Sequence, residues 1–333
     1  MKKSTIVFII LDIFAILCFF IVYGPISGFR DYLVTTAMNT KSHGYLAKVF
    51  YSEKTIKDIM ESNKTIAVEE VTDTSMIKFD AKEEDEYESI YEEQILKRDP
   101  DNDLYKIIEI DGNGYHAYLT VIYDPSRVST MKSSYYGRSG ELLSKMAQKN
   151  NAIIAINGGG FVDPNWSGNG ARAAGMFISN GKIIEDCDGA RVGLIGLTND
   201  NVLTLTYSTA KQAVANGIRD AVFFSPFLII NGKPALVIGN GGYGIDPRTV
   251  IAQRRDGIIL FLVVDGTGNK YGFRGGAGMS DLISILERYG AYNAANLDGG
   301  ASTELIVNGK IYNHPVAYAA SGERPLPNGW IVR

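Results

Sequence analysis

The alternation of apolar and polar positions changes character along the chain. From Ser4 to Tyr23 apolar residues run almost unbroken, Ile6 to Leu11 and then Phe19 to Val22. A helix over this run, at 1.5 Å per residue, spans about 30 Å, the thickness of a bilayer's hydrocarbon layer. The pattern predicts a transmembrane anchor within residues 1–30, with membrane contact through residues 4–23. The rival reading is a cleaved signal peptide, but the run exceeds the roughly 7–15 apolar residues of such a segment and ends in Tyr23-Gly24-Pro25 instead of a small-x-small site. Lys2 and Lys3 before the run, against a single Arg30 beyond it, predict a cytoplasmic N-terminus and an extracytoplasmic body. Asp12 interrupts the run, and at that depth a carboxyl is expected to be protonated or to face a partner helix.

Residues 31–100 read as a helical stalk and acidic linker. Between Asp31 and Asn63 apolar residues recur at helical spacing, with Tyr45, Leu46, Val49 and Phe50 followed by Ile56, Ile59 and Met60, which predicts one or two amphipathic helices. The charge run from Lys82 to Glu88, continued by Glu92-Glu93, reads as a solvated linker or helix face.

Beyond Pro100 the pattern becomes short apolar runs closed by Asx-Gly pairs: Asn113-Gly114, Asn180-Gly181, Asn231-Gly232, Asp256-Gly257 and Asn308-Gly309. Such pairs accept the positive φ angles of tight hairpin turns, so the strands they join should be antiparallel. Helices are predicted over Gly140 to Asn150 and over Ser280 to Tyr289, the second with Ser280 as N-cap and Leu282, Ile285, Leu286 and Tyr289 as one apolar stripe. The expected fold class is α+β: a mixed, largely antiparallel multi-stranded sheet with flanking helices over residues 101–333, preceded by the membrane helix and the stalk. No repeat of fixed period is apparent.

Composition removes several functions. With 33 Lys+Arg against 37 Asp+Glu the net charge is -4, which leaves no general basic surface for a nucleic-acid partner. His43, His116 and His314 are far apart, and two cysteines, Cys18 in the apolar run and Cys187 outside it, give neither zinc-ligand spacing nor an internal disulfide in the body. Cys187 reads as an inert buried thiol.

The chemistry is expected where strands run into glycine-rich polar loops. Three such junctions occur: residues 152–156 into Asn157-Gly158-Gly159-Gly160-Phe161, residues 259–264 into Asp265-Gly266-Thr267-Gly268, and residues 293–297 into Asp298-Gly299-Gly300-Ala301-Ser302-Thr303. Glycines let main-chain N–H groups approach an oxyanion closely. Taken singly, such a loop is usually just a turn; converging, the three make a pocket.

These segments, with Pro247-Arg248-Thr249, Gly278-Met279-Ser280 and Gly322-Glu323-Arg324-Pro325, occur in the order seen in the phosphodiester glycosidase family, which includes many bacterial envelope proteins and which the chain resembles as a membrane-anchored bacterial member. The resemblance covers roughly residues 105 to 333, with Leu297-Asp298-Gly299-Gly300 its most specific part; Ala301 departs from a frequent third glycine. It implies hydrolysis of a sugar joined through its anomeric carbon to a phosphodiester; with the body expected outside the membrane, the leading reading places the substrate in an envelope glycopolymer or exopolysaccharide. Phosphate is already a good leaving group, so this bond needs less proton donation and more stabilisation of departing negative charge. Arginine forks suit that task, which makes Arg248 and Arg324, with Arg172, the phosphate candidates. Asp298 is the candidate carboxylate at the anomeric centre, as nucleophile or as base for water, and Asp265 its partner or a contact for a sugar hydroxyl. Asn157, Gly158, Gly299, Gly300, Ser302 and Thr303 complete the expected substrate-binding set.

Each residue has a plainer alternative. Asp298 can cap a turn, Arg248 can pair with a surface acid and Asn157 can close its own turn. Ser302 and Thr303 lack a histidine that would make them nucleophiles, and His314 reads as structural. Trp166 and Trp330 are core aromatics or sugar platforms. No cofactor is required by the leading reading. Two others compete with it: a phosphodiesterase cleaving P–O with Ca²⁺ or Mg²⁺ on Asp163, Asp246, Asp265 and Asp298, and a noncatalytic glycan-binding or assembly protein.

Overall fold

The computed structural model describes residues 3–24, 27–39, 44–80, 86–162, 168–266, 275–317 and 319–333. Lys2, His43, the run 81–85, Asp163, Trp166, Thr267 and Gly268 lie outside the described residues. The chain divides into two compact units, one of Met1–Thr65 with Val237–Ile245 and one of Ile66–Leu236 with Asp246–Arg333. Residues 31–65 thus group with the N-terminal helix, and residues 66–100 with the sheets.

Among the described residues the first unit holds four helices: α1 (Lys3–Tyr23), α2 (Ser27–Asn39), α3 (Gly44–Phe50) and α4 (Glu53–Ser62). Within α1, Thr5–Tyr23 is long and apolar enough to cross a membrane, and none of it is buried. The stalk sequence, read as one or two helices, forms three, because α2 starts at Ser27 and α3 and α4 break at Tyr51-Ser52. There Ser52 caps α4 by accepting from the Thr55 N–H at 3.1 Å. Val34, Ala47, Ile56 and Ile59 make a small core. Asn240, in the Val237–Ile245 segment, is fastened into this unit by two bonds of 2.9 Å: its main-chain N–H donates to Asn63 Oδ1 and its Nδ2 donates to Thr35 Oγ1.

The second unit contains three larger sheets in which every pairing is antiparallel. A seven-stranded sheet has the spatial order Lys233–Pro234, Phe227–Ile230, Ala291–Asn296, Arg248–Arg254, Ile259–Gly266, Tyr115–Ile122, Tyr105–Gly112. A five-stranded sheet runs Lys310–Ile311, Leu305–Val307, Ile154–Asn157, Asn328–Val332, Val128–Lys132. A second five-stranded sheet runs Leu203–Ser208, Val192–Thr198, Ile218–Val222, Met176–Ser179, Lys182–Asp186. One buried cluster joins all three: Phe261, Ile251 and Ala295 meet Ile156, Leu305 and Trp330, and Ile195 and Leu205. Trp330 is therefore core.

All five Asx-Gly pairs turn hairpins in these sheets. At Asn180-Gly181, Asn231-Gly232 and Asn308-Gly309 both residues have positive φ, the geometry that matches the right-handed twist of paired strands. The two predicted helices of this region form as Leu143–Lys149 and Met279–Arg288. The second starts earlier than its expected Ser280 cap. Gly278 is the cap residue, and its N–H donates to the Asp281 carboxylate at 2.9 Å. Leu282, Ile285 and Leu286 are fully buried, as their spacing requires. Cys187 is a free thiol, half-buried instead of buried.

Candidate active site

The site is built where the strands Ile154–Asn157 and Ala291–Asn296 end in their glycine loops. Asn157 is fully buried and ties separate segments together. Its Nδ2 donates to the Asp298 carbonyl at 2.7 Å, and its Oδ1 accepts from the Thr249 hydroxyl at 2.7 Å and the Glu304 N–H at 3.2 Å. The Asp298 N–H in turn donates to the Gly158 carbonyl at 3.2 Å. The first and third loops are thereby held against each other through the main chain of residue 298, whatever its side chain does. A side chain at position 158 is impossible without rearrangement, since its Cβ would lie 2.1 Å from Asn328 Oδ1.

Arg248 begins the strand beside this loop. Only 6% exposed, it donates from Nε to the Ala277 carbonyl at 3.2 Å and lies 3.8 Å from the Asp246 carboxylate. The Gly300 N–H donates to the Pro247 carbonyl at 2.8 Å. A Cβ at Gly299 would come 2.9 Å from that carbonyl, so the absent side chain is what lets the main chain of residue 247 sit against the Asp298-Gly299-Gly300 loop, with Arg248 Nη1 in ordinary contact distance, 3.6 Å from the same point. Burial raises the Asp246 carboxyl above its usual range, and Arg248 opposes the shift.

Asp265 ends the strand Ile259–Gly266 and is 3% exposed. Its Oδ1 accepts from Asn313 Nδ2 at 2.9 Å, and its Oδ2 from the His314 N–H at 2.6 Å, with His314 Nδ1 at 3.2 Å. Asn313 Nδ2 also donates to the Thr303 carbonyl at 3.1 Å, which links the second loop to the third. Close by, burial first and the Asp265 charge second push the Tyr118 hydroxyl up to about 12, so it is neutral.

Arg324 places its guanidinium 4.6 Å over the Phe161 ring, at the end of the Asn157–Phe161 loop. Arg172 commits one edge of its fork to Glu185, at 3.1 Å from Nε and 2.8 Å from Nη2. Ser302 and Thr303 are 1% exposed, and neither hydroxyl has a hydrogen-bond partner among the described residues. The same holds for Glu304 Oε2 and for both ends of the Asn328 amide. Buried polar groups are nearly always paired, so orphans gathered in adjoining segments mark a place where a polar guest or water can pair with them. Among the described residues no three His, Cys, Asp or Glu side chains gather as a metal ligand set, and Asp163 lies outside them.

Sequence reasoning does not single out Glu304 and Asn328. Their signal is weak but present: each is a polar residue at the opening of an otherwise apolar strand, Leu305–Val307 and Asn328–Val332. Burial, with Glu323 nearby as a second cause, lifts the Glu304 carboxyl well above the ordinary range. Between the ordinary and the raised value the folded protein keeps a proton that the unfolded chain releases, so stability falls as pH rises, by up to about 1.4 kcal/mol per pH unit. Glu304→Gln removes this titration. Melting temperatures measured between about pH 5 and pH 8 should decline more steeply for the wild type than for the variant. Parallel profiles would show that Glu304 ionises normally.

A sequence model for the phosphodiester glycosidase family matches residues 150–333, which contain every loop of this site. The chain belongs to the phosphodiester glycosidase family. Among relatives, it is 28% identical over 207 residues to the SPbeta prophage-derived uncharacterized protein YomE of Bacillus subtilis (strain 168), an alignment covering 59% of this chain and 30% of that protein. It is 21% identical over 240 residues to N-acetylglucosamine-1-phosphodiester alpha-N-acetylglucosaminidase of Mus musculus, covering 63% of this chain and 43% of the enzyme. The chain thus spans less than half the length of these two relatives. A solved structure of the zebrafish N-acetylglucosamine-1-phosphodiester alpha-N-acetylglucosaminidase catalytic domain, auto-inhibited by its pro-peptide, superposes with a TM-score of 0.56 at 20% identity, over 69% of this chain and 82% of that one. This member of the phosphodiester glycosidase family therefore shares that domain's fold.

Proposed function

We propose that the protein is a hydrolase that cleaves the glycosidic C–O bond of a sugar-1-phosphodiester, releasing free sugar and a phosphate monoester. Family membership supports a hydrolase acting on phosphodiester-linked sugars. The observation that carries the finer reading is the packing of a buried arginine, Arg248, against Gly299 in the loop that bears Asp298. A guanidinium set against the loop that carries a carboxylate matches the two charges of the reaction. Positive charge grows at the anomeric carbon as its bond to oxygen breaks, and the electron pair leaves with the phosphate oxygen. In this reading Asp298 serves the anomeric carbon, as nucleophile or as base for water, and Arg248 with Arg324 receives the phosphate. Asn157 holds the loops in register, and Asp265, engaged by Asn313 and His314, fixes the neighbouring wall. The orphaned Ser302, Thr303 and Asn328 groups supply hydroxyl and amide contacts for the sugar.

The substrate in this proposal is an envelope glycopolymer or exopolysaccharide outside the cell. The helix Thr5–Tyr23 would act as a single-pass anchor, its N-terminus cytoplasmic. Incubation of the membrane-inserted protein with a panel of sugar-1-phosphodiesters tests the reading: free sugar and phosphate monoester should appear in equal amounts, with or without chelator. Release of an intact sugar 1-phosphate would overturn it, as would saturable binding without any product.

A further inference from the structure

The outward face of α3 has the wrong chemistry for water. Tyr45, Leu46, Val49 and Phe50 are 60%, 40%, 68% and 47% exposed, while Ala47, on the opposite side, is packed into the core of the helical unit. At 100° per residue these four positions form one continuous apolar face, which on an ordinary surface helix would be polar. Its location indicates what covers it. Tyr51, the next residue after α3, donates its hydroxyl to the Val22 carbonyl at 2.9 Å, and its ring lies 6.1 Å from that of Tyr23. Val22 and Tyr23 end the apolar helix α1, whose Phe19 ring lies 5.1 Å from that of Tyr23. A helix crossing a bilayer places its terminal tyrosines at the boundary between hydrocarbon and headgroups. The exposed face of α3 therefore begins at the depth of that boundary.

We propose that α3 is an interfacial helix, lying with Tyr45, Leu46, Val49 and Phe50 in the outer-leaflet lipid and with Lys48 reaching the headgroups. The inference rests on the reading of α1 as a membrane span and adds a second lipid contact beyond it. A second copy of the chain is the poorer occupant. Four side chains on a helix of about 10 Å cannot supply the roughly 800 Å² per partner of a stable dimer. Amphipathic helices of this kind are instead held by shallow burial of their apolar face. The contact would fix the base of the first unit at the membrane surface in addition to tethering it.

The test uses the full chain in phosphatidylcholine and phosphatidylglycerol vesicles, in a Cys18→Ser, Cys187→Ser background. A polarity-sensitive fluorophore is attached through Tyr45→Cys, Val49→Cys, Ile13→Cys or Lys57→Cys, each position being exposed, and quenched by lipids spin-labelled at shallow or deep positions. Circular dichroism checks that each labelled protein is folded. The proposal requires the probes at 45 and 49 to be quenched by shallow labels roughly threefold more than the probe at 57. Absence of that quenching at either position overturns it, and energy transfer between copies at 49 in its place would identify a dimer contact. The probe at 13 reports separately on the span: quenching there by deep labels, with none at 49, leaves the anchor standing and removes the interfacial helix. Quenching at 45 and 49 without any at 13 sustains the lipid contact and removes the span.

Discussion

Asp298→Asn is expected to lower kcat on a sugar-1-phosphodiester by about 10² to 10⁴, the range for removing a group that works by proton transfer or attack in the transition state. Little else should change. The loop is held by main-chain atoms of residue 298, the carbonyl that accepts from Asn157 and the N–H that donates to Gly158, and these are identical in the variant. Melting temperature and circular dichroism are therefore expected to match the wild type. KM should move little, because the interaction removed belongs to the transition state. A folded variant with wild-type turnover would take Asp298 out of the chemistry.

The second large effect is selective. Arg248→Ala should reduce kcat/KM by about 10² to 10³ on phosphate-bearing substrates, as loss of a preorganised donor does elsewhere, and much less on a neutral glycoside of the same sugar. Arg248→Lys keeps the charge but not the planar fork, so it should recover only part of the loss. The buried site complicates a simple truncation. Asp246, 3.8 Å away, loses the cation that opposes its upward shift and becomes harder to ionise. Stability of each variant should be measured beside its kinetics. Equal losses on charged and neutral substrates would count against the phosphate role.

Much of this architecture is legible in the chain because it is local. The run Ser4–Tyr23 needs only its length and composition, and each Asx-Gly pair carries its own turn geometry. The three strand-to-glycine junctions follow from the same local signals. What pairs across long separations is not legible. Asn157, which sequence reasoning has closing its own turn or contacting substrate, joins Asp298, Thr249 and Glu304, partners up to 147 residues away. Asp265, expected beside the anomeric centre, is held by Asn313 and His314, up to 49 residues further along the chain. No periodicity reveals that Val237–Ile245 groups with the N-terminal helices, or that the Glu304 carboxyl is buried. The helix Met279–Arg288 starts early for a related reason: the Asp281 side chain reaches back to cap at Gly278, although Ser280 has the better intrinsic preference for a cap.

The central claim concerns which bond breaks, and ¹⁸O-labelled water reads it directly. Hydrolysis of a sugar-1-phosphodiester in that water, with products identified promptly by mass spectrometry, should place the label in the free sugar and leave the phosphate monoester unlabelled. Label in the phosphate would mean P–O cleavage and would contradict the account.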